Sequence, residues 1–141
     1  MQKHVVAIIL AIVLWQPLCQ AQVGNSLYQQ LGERAGINEL MTTFVLEIAE
    51  DERVIEHFRN VDIERFHHML GEHLCELTGG PCTYTGADMV EVHRGMAITR
   101  SEFNAIVENL IKAMEHHQLP TATQNRLLST LAELHGEIVG Q

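Results

Sequence analysis

The stretch Tyr84-Thr85-Gly86-Ala87-Asp88-Met89-Val90-Glu91-Val92-His93-Arg94-Gly95-Met96-Ala97-Ile98-Thr99 carries the most information in this chain. It predicts a short helical segment with His93 near its end, a glycine two residues later, and a new helix opening at Thr99. A histidine held between two helices in this way can present a ring nitrogen to a metal. Thr99 and Glu102 have the spacing of a capping box, in which each side chain satisfies a backbone N–H at the start of the helix.

Working outward, helical spacing recurs and no alternating strand pattern persists. Leu27 to Leu31 reads as a short opening helix ended by Gly32. Ile37, Leu40, Met41, Phe44, Val45 and Ile48 fall at three- and four-residue steps in a second helix over 37–50. After 52–58 the chain turns through Asn60, and Asp62 can cap a helix with Ile63, Phe66, Leu70, Leu74 and Leu77 on one face. Thr78-Gly79-Gly80-Pro81 ends it. Beyond Thr99, Phe103, Ile106, Val107, Leu110, Ile111 and Met114 form one buried side. Pro120 opens a final helix lined by Leu127, Leu128, Leu131, Leu134 and Ile138. The prediction is a single all-α domain.

The first residues do not belong to that core. Lys3 and His4 precede an apolar run from Val5 to Trp15, followed by Pro17 and Cys19-Gln20-Ala21. This is the pattern of a bacterial secretory signal, and it is shorter than the roughly 20 apolar residues that cross a bilayer. The expected division is a signal over 1–21 and a domain over 22–141, periplasmic or secreted after cleavage near Ala21. The chain carries a formal charge of −9, and Lys3 is the only Lys, Arg, Asp or Glu before Ala21, so the remainder carries −10. Such acidity disfavours nucleic acid and anionic membrane as partners. Cys75 and Cys82 then remain, and an oxidising compartment permits their disulfide. A buried core thiol and a loop thiol are the alternative.

Nine histidines are present, but His67-His68 and His116-His117 are adjacent pairs whose side chains diverge by about 100° on a helix. No pair at His-x3-His spacing suggests a zinc site. From Leu27 to about Val139 the sequence resembles group I truncated haemoglobins. The matching landmarks are Leu31-Gly32, Phe44, Phe58, Gly79-Gly80-Pro81, Tyr84-Thr85-Gly86, His93 and Gly95-Met96-Ala97-Ile98-Thr99, in order.

The resemblance implies a two-over-two helical sandwich around haem b. The helices over 37–50 and 63–77 would lie against the last two. It implies His93 as the proximal iron ligand and Phe58 as a residue packed on the porphyrin. Phe44, Phe66, Tyr84, Met89, Val92, Ile98, Phe103 and Ile106 would lie around the cofactor. It also implies a diatomic gas as ligand, with a redox partner as an alternative, in a monomer or weak dimer.

On the distal side the chain departs from the family pattern. Val45 stands where a tyrosine is usual and Leu70 where glutamine is common, so the expected pocket is apolar. Met69, at a position from which some members ligate iron, is a candidate second ligand that would give a six-coordinate redox protein. His73 is a weaker candidate, one turn further on. Haem enzymes consuming nitric oxide or peroxide form a further alternative, which an apolar pocket disfavours because peroxide cleavage needs a nearby acid–base group. If the leader is a signal, protein recovered from an exporting bacterium begins at Gln22. Intact mass checks this, and a mass that includes Met1 would contradict it.

Overall fold

The structure, a computed structural model, describes residues 26–141. The signal expected over 1–21, its cleavage point and residues 22–25 lie outside the described residues. Among the described residues there is no strand, and no helix is long and apolar enough to cross a membrane.

Ser26 and Gln29 form a reciprocal capping box on α1 (Leu27–Gln30). The chain then passes Gly32, whose φ of 82° is cheap only for glycine, and enters α2 (Glu33–Ala49). This helix begins a turn earlier than the apolar pattern predicts. Its first turn, Glu33 to Ala35, is exposed and has no large apolar residue to mark the start. Gly36 is required inside that turn, since a Cβ there would strike the Leu31 carbonyl.

A single 3₁₀ turn (Ile55–Phe58) leads to α3 (Ile63–Leu77), capped by the Asp62 carboxylate accepting from the Arg65 N–H. The short α4 (Met89–His93) is capped by Asp88, and Thr99 and Glu102 form the predicted box on α5 (Arg100–His116). The predicted final helix is instead two. α6 (Thr121–Ala132) ends at Glu133, and α7 (His135–Ile138) follows. The apolar spacing runs on through the break, but α7 turns to pack against α4. The Ala97 N–H donates to the Gln141 carbonyl at 2.8 Å and the Gly140 N–H donates to the Ile98 carbonyl at 3.0 Å, which fixes the turn.

α2 packs against both α3 and α5, and α6 rests on α1 and α5, giving the two-over-two helical sandwich. Ile37, Leu40, Met41, Met114 and Leu127 are fully buried at its centre. A polar tie closes one end. The Asn109 amide donates to Asp51 at 2.8 Å, and Arg53 bridges Asp51 and Glu108 at 2.8 and 2.7 Å. Arg53 holds the Asp51 carboxyl well below its ordinary range, against the opposing effect of burial and with help from Asn109.

Cys75 and Cys82 form a disulfide with Cα atoms 5.7 Å apart, deciding between the two readings of these cysteines. It spans the Gly79-Gly80-Pro81 break, and Gly80 lies too close to Cys75 and the Tyr28 ring to carry a side chain. Because Leu127 is wholly buried, Leu127→Ala is expected to cost about 2–5 kcal/mol in urea unfolding. A loss under about 1 kcal/mol would contradict the packing of α6.

Candidate functional site

A five-residue helix has too few hydrogen bonds to persist alone, so α4 depends on its ends and on α7. Asp88 accepts from the Glu91 N–H at 2.8 Å, and Gly95, at φ 78°, turns the chain away beyond His93. Ala97, at φ 51°, turns it again where it meets Gln141. Within this frame His93 is half-buried, and its Nδ1 lies 2.7 Å from the Met89 carbonyl. A carbonyl only accepts, so Nδ1 carries a proton, and in the neutral ring that leaves the lone pair on Nε2. That is the state a neutral imidazole needs to bind a metal.

Of the other predicted residues, Phe44 is buried, and Phe58, Phe66, Leu70 and Ile106 pack half-buried against the same core. The Phe58 and Phe66 rings tilt together with centroids 5.1 Å apart. Ile98 is buried, whereas Val45, Met69, Met89 and Phe103 are half-buried and Val92 is 46% exposed. Val90, Val61 and Ile63 are also exposed. Val90 and Val92 are exposed on the same short helix as His93, and open apolar side chain of this kind suits a large flat apolar group such as haem.

His73 and Tyr84 pair with each other. Their ring centroids lie 4.6 Å apart with the planes tilted by 37°, and the Tyr84 hydroxyl donates to the Ala87 carbonyl at 3.0 Å. Burial lowers the His73 pKa against the opposing effects of Glu76 and Glu137. Burial raises that of Tyr84.

Two further contacts escaped the sequence reading. His57 Nε2 lies 2.9 Å from Glu102 Oε1, tying the turn that carries Phe58 to the start of α5. His135 meets the Phe103 ring edge-on at 4.7 Å. The first had a faint signal, since His57 precedes Phe58 and Glu102 already belongs to a capping box. The second had none, because it depends on the break before α7.

Residues 26–139 match the family model described as bacterial-like globin. The chain belongs to this family. A group 1 truncated hemoglobin of Tetrahymena pyriformis is 28% identical over 117 residues, covering 83% of this chain and 97% of that protein. The one from Mycolicibacterium paratuberculosis is 28% identical over 113 residues, covering 80% and 83%. The crystal structure of the Tetrahymena pyriformis protein in its Fe(III) form matches with a TM-score of 0.80 over 82% of this chain and 99% of that one. Variants of that protein have also been solved with a tyrosine replaced, and with glutamines 21 and 25 residues further on replaced. These globins are haem proteins, and the fold here is theirs.

The Thr99 hydroxyl first, then its backbone N–H and His57, lower the Glu102 pKa from 4.5 to about 2. A depressed carboxylate stabilises the fold above its unfolded pKa, and that support is lost as pH falls from about 4.5 to about 2. Thermal melts at pH 5 and pH 2.5 should therefore fall further for the wild type than for Glu102→Gln, which keeps a side chain able to cap. Equal falls would contradict a charged Glu102 in this tie.

Proposed function

We propose that this chain is a haem b globin that reversibly binds a diatomic gas, with His93 as the proximal ligand and an apolar distal side. The observation that carries the reading is the 2.7 Å contact between His93 Nδ1 and the Met89 carbonyl. It fixes the tautomer, limits rotation of the ring and makes Nε2 a better donor. When bound, haem b supplies the iron centre that takes the gas.

The chain's own residues do the rest. Phe58 and Phe66 offer ring faces for the porphyrin, and His57 with Glu102 holds the Phe58 turn in place. Phe103 and Ile106 offer apolar surface from α5, Met89 and Val92 from α4, and Ile98 lies between these two helices. Apart from Ile98, which is buried, these side chains are exposed or half-buried, which supports a role as cofactor contacts.

For the distal side, the intervals of 21 and 25 residues counted from Val45 reach Phe66 and Leu70. Three apolar side chains then stand where the Tetrahymena pyriformis protein has three hydrogen-bonding ones. Dioxygen, which draws negative charge onto itself on binding, finds no donor in such a pocket. A missing hydrogen bond of about 1–2 kcal/mol weakens its retention roughly tenfold. Carbon monoxide and nitric oxide depend less on such a donor, so they are the favoured ligands in this reading. The secretory pattern of the leader supports a periplasmic or secreted setting.

Val45→Tyr should slow dioxygen dissociation from the reduced protein about tenfold, with carbon monoxide dissociation changed much less, both read by stopped flow. No change for dioxygen would count against Val45 as a distal position. His93→Gly should lose the haem spectrum and regain it with added imidazole. Retention of an unchanged spectrum would remove His93 from its role.

A further inference from the structure

We propose that Cys75–Cys82 is a reversible thiol–disulfide exchange site, with Arg34 poised to receive the Cys82 thiolate. The two sulfurs differ in access. Cys75, in the last turn of α3, is 1% exposed, whereas Cys82 is half-buried in the loop. The Arg34 guanidinium donates to Cys82 Sγ at 2.9 Å through one nitrogen, and to the Glu72 carboxylate at 2.8 Å through another. A cation against a sulfur has little to stabilise in a neutral disulfide, but it favours the thiolate that reduction produces.

The substrate class is a small thiol or a protein dithiol. An incoming thiolate attacks the accessible Cys82 Sγ. The Cys75–Cys82 bond breaks, and its electron pair leaves on Cys75, which takes up a proton. A second thiolate attacks the incoming sulfur of the mixed disulfide and releases Cys82 as a thiolate facing Arg34. The sum is protein disulfide plus two thiols giving protein dithiol plus a small disulfide. Arg34 makes Cys82 the better leaving group in the second step, and stabilising the reduced form raises the potential. Reduction also opens the clamp over 75–82, which lies one residue before Tyr84 and its ring contact with His73. This site stands independently of haem.

The test is equilibration of the full chain in glutathione redox buffers at pH 7, read by mass after rapid alkylation. The wild type is expected to interconvert. Arg34→Ala should shift the equilibrium constant about tenfold toward the disulfide, which is about 30 mV. Arg34→Lys should restore most of it. Glu72→Gln, which frees the guanidinium from its carboxylate, should shift it toward the dithiol. In the reduced protein, iodoacetamide should label Cys82 first, with a rate profile displaced to lower pH that Arg34→Ala moves back. A disulfide that resists glutathione, or one whose equilibrium and alkylation profile are unchanged in Arg34→Ala, would overturn the proposal.

Discussion

The hydrogen bond from His93 Nδ1 to the Met89 carbonyl is the constraint on which the site depends. It lies within α4, one helical turn back from the histidine, so its geometry exists only while that brief helix does. The caps at Asp88 and Gly95 shape α4 locally, and α7 packs on it from the far end of the chain. The backbone bonds from Ala97 and Gly140 hold the two together. The break after α6 is thus the means by which distant sequence stabilises the segment carrying His93.

The turn that carries Phe58 is governed by the same economy of anchors. The Phe58 turn is one 3₁₀ turn with no buried residue of its own. It is fixed by Phe66 on α3 and, through the neighbouring His57, by Glu102 on α5. Glu102 therefore serves twice, capping α5 and tethering the turn. The Asp51–Arg53–Glu108 chain, with Asn109, secures the preceding corner. Polar contacts hold the frame at its edges, while the side chains proposed to contact the cofactor, His93 and Tyr84 apart, are apolar. A frame built this way leaves an apolar surface open without collapsing onto it.

Much of this was legible in the sequence because it rests on local rules. The periodicity of Ile37 to Ile48 and of Ile63 to Leu77 marked the helices, and the Thr99–Glu102 box marked the start of α5 to the residue. His93 was singled out by its place before Gly95 and Thr99. The early start of α2 was hidden because its first turn is exposed and carries no large apolar side chain. The split of the last helix was hidden because Leu134 and Ile138 keep helical spacing on either side of it, and only packing on α4 reveals the turn. The His73–Tyr84 ring contact was equally out of reach, since it joins a helix to a loop with no periodic signal. The disulfide was readable as one of two options and needed the fold to decide it.

The central claim is that His93, oriented by the Met89 carbonyl, is the one protein ligand the cofactor uses. The most direct measurement is the visible spectrum of the dithionite-reduced haem protein before any gas is added. A single broad visible band, the mark of five-coordinate iron, is the result this account predicts. Sharp, resolved bands would mean that a second side chain, Met69 foremost, closes the site, and would contradict it.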